Sequence, residues 1–158
     1  MRFLEINEVW HWCEEHAVEL GPERRPTVDA RFRVVRREVY AFGEPSGEEP
    51  RVARELVAEL GAWDECLLWI VTWGVWSSTE DWPEFYAARG RLGEKRELAV
   101  APGLLAHRDD AAILLEFVTQ ALRYGWDAHL FPVNEGVTTR RRAFLSHDEW
   151  VEVRERSA

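Results

Sequence analysis

From Cys66 to Thr79 the chain runs fourteen residues without a charge, bounded by Glu65 and Glu80, and no other stretch constrains the fold as much. It is shorter than the ~18 residues or more that a membrane-spanning helix needs, so it belongs inside a folded core. Its first half, "CLLWIVTW", is continuously apolar and carries β-branched Ile70, Val71 and Thr72. That pattern suits a central strand buried on both faces. Alternation then places Leu67, Trp69, Val71 and Trp73 on one side and Leu68, Ile70 and Thr72 on the other. A helix over 67 to 76 is the competing reading, because Trp69, Trp73 and Trp76 also fit i, i+4 and i+7; Gly74 and the β-branched run favour the strand.

Periodic segments surround this stretch. Asn7 predicts the cap of a helix running to Leu20, with Val9, Trp12, Cys13, Ala17 and Leu20 at helical spacing and Gly21 just past the end. "ARFRVVRREVYAFG" predicts a strand broken near Arg36-Arg37, and "EPSGEEP" a turn. "PRVARELVAEL" predicts a second amphipathic helix with Val52, Leu56 and Leu60 on one side. "SSTEDWPEF" reads as a loop entering a short helix, with Asp81 and Glu84 in capping-box relation and Pro83 in the first turn. A weak strand is expected around Leu98 to Ala101. Asp109 or Asp110 caps "AAILLEFVTQALRYG", whose apolar positions nearly surround it and predict a core helix.

Near the end, "WDAHLFPV" and "TTRRRAFLS" joined through "NEG" predict an antiparallel hairpin, and Ser146 with Glu149 at S-x-x-E spacing predicts a terminal helical turn. No repeat, low-complexity tract or long linker divides the chain. The expectation is an α+β (mixed α/β) fold: a single globular domain over residues 1–158, with helices packed on a mixed sheet of about four strands and a C-terminal antiparallel hairpin.

The 158 residues carry 29 carboxylates against 20 cations, a net charge of -9, which opposes attraction to nucleic acid and to anionic membrane. Acidic residues interrupt the opening "MRFLEINEVWHWCEEH" where a secretory signal would be apolar, so a cytoplasmic protein is expected. Two cysteines, Cys13 and Cys66, imply no disulfide framework.

Candidate chemistry is sparse. "HWCEEH" holds metal-ligand residue types, but on one helix His11 and His16 stand about 140° apart around the axis and cannot chelate together. "HRDD", His107 to Asp110, has the letters of a kinase catalytic loop without its downstream Asn, and capping explains it. Cys66 entering an apolar strand is a small buried hydrophobe before it is a nucleophile, and Ser77 and Ser78 lack a nucleophile-elbow setting. No catalytic, metal or cofactor site is therefore assigned. In "SHDEW", His147 and Asp148 would do acid–base work only if they met a cleft.

Arginine and tryptophan carry more information. Arg31, Arg33, Arg36 and Arg37 lie on one expected strand and Arg140, Arg141 and Arg142 on another. Were these strands neighbours, Arg36, Arg37, Arg140 and Arg142 would form a patch for carboxylate or another anion; otherwise they line the solvent faces of edge strands. Trp76, Trp82, Phe85, Tyr86 and Arg89 follow the central strand onto a loop and short helix, and their types dominate protein-interface hot spots. They are the candidate partner-binding cluster, and a second small core is the alternative.

The segments "LLWIVTWGVWSS", "EFYAARG", "GWDAHLFP" and "RRAFLSHDEWVEV", spread over roughly the last 95 residues, resemble a recurrent set in an uncharacterised family of small bacterial proteins. Their W-G-x-W, G-W-D and S-H-D-E elements carry the resemblance, which implies no activity and no catalytic residue. In size, acidity and aromatic content the chain is also similar to immunity proteins of bacterial toxin systems, a likeness of character without a shared motif.

Three readings follow. The first is a non-enzymatic protein-binding module, an inhibitor or immunity-type protein whose acidic surface speeds encounter with a basic partner protein. The second is a small hydrolase or transferase with a pocket at the ends of the central strands and His147, Asp148 or Arg89 as polar groups. The third is a structural subunit of a larger assembly, which requires a large exposed apolar patch.

Overall fold

A computed structural model describes residues 1–27, 30–41, 47–74 and 82–157. The uncharged stretch supplies the central strand β3 (Glu65–Thr72), paired on either side with β4 (Gly103–His107) and β5 (Asp127–Asn134). Beyond β4 lies a three-residue edge strand, β1 (Arg2–Leu4). Beyond β5 follow β7 (Arg141–Ser146), β8 (Trp150–Arg156) and, at the other edge, β2 (Phe32–Val39), while β6 (Val137–Thr138) pairs only with β5.

Among the described residues the sheet thus has eight strands, every pair antiparallel, where the sequence predicts a mixed sheet of about four. Three misreadings account for most of the difference. β1 is too short to show a period. The expected strand at Leu98 to Ala101 is a turn, and the strand is the next segment, "GLLAH". The expected terminal helical turn is β8. Ser146 pairs with Trp150 across a three-residue hairpin loop in which Glu149 takes φ 63°, the left-handed corner such loops use. The S-x-x-E spacing is that loop, not a helix cap.

Alternation along β3 separates two cores. Cys66, Leu68 and Ile70 face α2 (Glu49–Glu59), α3 (Pro83–Arg91) and α4 (Ala111–Arg123), whose Leu56, Phe85, Phe117 and Leu122 fill the larger core. Leu67 and Trp69 face α1 (Ile6–Glu15) and its Val9, Trp12 and Cys13. Trp73, past the strand end, packs on the helix-rich side rather than with Trp69. α1 begins at Ile6, with the Glu5 amide donating to the Glu8 carboxylate (2.8 Å), and stops five residues before Leu20 because Ala17 turns to φ 54°. β4 passes so close under α1 that a Cβ on Gly103 would sit 2.5 Å from Val9 Cγ2 and 3.1 Å from Leu4 Cβ. β2 shifts register between Val34 and Arg36, where the sequence signals a break. Among the described residues no helix is long and apolar enough to cross a membrane.

The functional consequence lies in how far α1 reaches. Its core ends at Phe131 and Val133 of β5, so the same sheet face across β7, β8 and β2 has no helix in that cluster above it.

Candidate functional site

The candidate aromatic cluster folds inward. Phe85 is fully buried and meets Phe117, Trp126 and Tyr86 edge-on at 5.6, 4.9 and 5.5 Å. Arg89 is buried with it, donating to the Ala101 carbonyl (3.0 Å) and the Arg96 carbonyl (2.9 Å) while its guanidinium lies over the rings of Phe3 and Phe85. Trp82 packs edge-on against Trp126 at 5.0 Å, and the Tyr86 hydroxyl accepts from the Leu98 amide (3.2 Å). Trp76 lies outside the described residues. The described part of this cluster is the second-core alternative: Phe85 and Arg89 present no surface to a partner.

The candidate arginines separate by strand parity. β2 and β7 are not neighbours; β8 lies between them. Arg36 faces α2, where Glu38, Glu55 and Glu59 take its guanidinium and Arg51 bridges Glu38 and Glu55, so its charge is used internally. Those contacts push the Arg36 pKa further up and hold Glu38 and Glu55 below the usual carboxylate range. Arg140 is exposed just ahead of β7; its carbonyl accepts from the Arg156 amide (2.7 Å) and its side chain donates to the Arg156 carbonyl at 3.5 Å. Arg37 and Arg142 alone of the four share the open sheet face.

On that face alternation brings together residues the sequence reading did not assemble. β5 contributes His129, β7 contributes Arg142 and Phe144, β8 contributes Trp150, Glu152, Arg154 and Arg156, and β2 contributes Phe32 and Arg37. Three arginines place their guanidinium carbon over a ring: Arg37 over Trp150 at 4.1 Å, Arg142 over Phe32 at 3.9 Å and Arg156 over the same ring at 5.7 Å. A contact of the kind that Arg37 makes with Trp150 holds a guanidinium while leaving its edge able to meet a carboxylate. Among the described residues one carboxylate of β8 shares the face: Glu152 is 3% exposed and accepts from Arg154 Nε. Val34 and Val39, 49% and 76% exposed, complete the surface toward the edge.

A cleft of about 220 Å3 opens in this face, walled by His129, Phe144, Trp150 and Arg154 and roofed by Pro26 and Thr27. His129 stacks on Phe131 (5.4 Å, 6° between planes) and tilts against Phe144 (4.7 Å). Burial, with repulsion from Arg142 and Arg154, pushes its pKa down to about 3, so the ring is neutral at physiological pH. A larger hollow between α3 and α4 is lined by Glu84, Arg91, Glu116 and Arg123, but these pair with one another (Arg91–Glu116 2.5 Å, Arg123–Glu84 2.7 Å) and offer no unspent charge.

The remaining chemical candidates disperse. Cys13 is buried and its thiol pushed up to about 12 by burial; burial raises Cys66 further. His16 stacks on Trp12 and His11 pairs with Glu15, so "HWCEEH" points in several directions. His147 Nδ1 lies 2.8 Å from Asp127 and Asp148 is 68% exposed; neither lines the clefts described above, and Arg89 is in the core. The three polar groups named for the hydrolase or transferase reading, His147, Asp148 and Arg89, therefore do not meet in one cleft among the described residues. No known protein family, curated protein or solved structure matches the chain.

Proposed function

We propose that the protein is a non-enzymatic binding module of the inhibitor or immunity type, which masks a partner protein through the open face of β7, β8 and β2. The observation that carries this is the gathering of aromatic and arginine side chains there: Phe32, Phe144 and Trp150 with Arg37, Arg142, Arg154 and Arg156, beside the carboxylate of Glu152. Trp and Arg are the residue types that concentrate interface energy, and this face, unlike α3, leaves them at the surface.

Local charge also selects the partner. The net charge of -9 favours a basic protein at long range, but at physiological ionic strength exposed charges are screened beyond about 8 Å. Within that distance the face is cationic, so the docked patch of the partner is acidic. The likeness in character to immunity proteins fits a module whose only product is a covered surface.

The test is capture of the partner from the native cell by immobilised wild-type protein and by an Arg37→Glu, Val39→Glu variant. Both positions are exposed, but Arg37 stands opposite Glu152 across the strand pair, so the variant's fold is checked by its urea midpoint and Val39→Glu alone serves as the companion variant that leaves that pair intact. Loss of the captured partner supports the reading; undiminished capture overturns it.

A further inference from the structure

We propose that the cleft among β5, β7 and β8 is a binding site for one carboxylate on a short apolar stem, aromatic or aliphatic, no larger than an amino-acid side chain. The site rests on the binding-face reading above and gives it a ligand chemistry.

Three features define the ligand. Arg154 lines the cleft and spends only its Nε, on Glu152; among the described residues neither Nη makes a hydrogen bond, so the outer edge of the guanidinium is open to a carboxylate. His129 makes no hydrogen bond through either ring nitrogen among the described residues, and a neutral imidazole brings one N–H donor to the same space. Phe144 and Trp150 form apolar walls beside these donors, and Phe144 stands edge-on to Trp150 at 5.3 Å, which suits an aromatic or short aliphatic stem.

Size and charge narrow the choice. The volume of about 220 Å3 falls below the roughly 300–1,000 Å3 of sites for drug-sized ligands, so a nucleotide does not fit. Arg142 and Arg154 both line the cleft and Glu152, buried behind Arg154, offsets one of their two charges, so a monoanion is preferred to a phosphate dianion. The carboxylate has two sources, a side chain of the partner protein or a free aromatic acid.

Both sources are tested on the full chain by NMR, following the ring signals of His129 and Phe144 and the indole N–H of Trp150. The probes are sodium benzoate, the peptide acetyl-Gly-Glu-Gly-amide and inorganic phosphate at matched ionic strength. Either carboxylate probe is expected to shift these signals saturably. Binding should weaken about tenfold in a Glu152→Gln, Arg154→Gln double variant, which removes both charges and keeps a polar amide at each position. Saturation by the peptide assigns the site to a partner side chain, and saturation by benzoate alone assigns it to a free acid; each supports the site. No saturable shift with either carboxylate, undiminished binding by the double variant, or tighter saturation by phosphate overturns it. A chain that binds benzoate while its Arg37→Glu, Val39→Glu variant still captures partner keeps the cleft and loses the binding face. The reverse outcome keeps the face and loses the cleft.

Discussion

Replacing Arg154 with Gln should destabilise the protein through the carboxylate it leaves behind. Glu152 sits in the middle of β8 at 3% exposure and accepts from Arg154 Nε, with Phe144 opposite it on β7 and Arg37 opposite it on β2. Breaking a buried ion pair from one side costs about 3–5 kcal/mol, because the remaining charge is buried without its partner. Two features reduce that here: the Arg154 side chain is 19% exposed, and Arg37 keeps a positive charge across from Glu152. The expected loss is about 2 kcal/mol. In the Glu152→Gln, Arg154→Gln double variant no charge is stranded, and the stability should return to within about 1 kcal/mol of the wild type. Urea unfolding followed by tryptophan fluorescence measures both. With a slope of about 2 kcal/mol/M, the single variant should shift the midpoint by about 1 M at unchanged slope. Equal destabilisation of single and double variants, or no effect of the single variant, would refute the reasoning, since neither leaves a cost attributable to an uncompensated carboxylate.

Three further outcomes are expected. Phe85→Ala should cost about 3–5 kcal/mol in the same unfolding assay, as a fully buried ring does; a cost under 1 kcal/mol would return α3 to the surface. Gly103→Ala should cost about 1–3 kcal/mol, since its Cβ would press into Val9 at the base of α1. Arg96 hydrogen bonds hold the Glu94 carboxyl at about 2, below its ordinary 4.5, so the folded state gives up its proton more readily than the unfolded one. The stability this adds is present above about pH 4.5 and is lost as pH falls toward 2. Arg96→Gln should flatten the dependence of stability on pH within that window and leave it unchanged in slope above it.

Much of the scaffold was legible because it depends on local period. β3 shows as a continuous apolar run, α2 and α4 as amphipathic or fully apolar helices, and β5 with β7 as an antiparallel pair. What the sequence concealed was strand order. Arg36 and Arg37 are adjacent in the chain yet belong to opposite faces, and nothing local says which of them meets α2. The aromatic run Trp82 to Tyr86 has interface composition, but its burial is set by Trp126 and Phe117, which arrive from more than thirty residues away in the chain. One further signal is present in the sequence. "WVEVRER" alternates with period two, and reading it as a strand beside "RRAFLS" would have placed Trp150, Arg154, Arg142 and Phe144 on one face.

Hydrogen–deuterium exchange on the protein bound to its captured partner tests the binding face most directly. Binding should protect the backbone of 32–39 and 150–156, the strands that end the sheet, while 83–91 exchanges as in the free protein. Protection confined to 83–91 or to α1, with β2 and β8 unchanged, would contradict it.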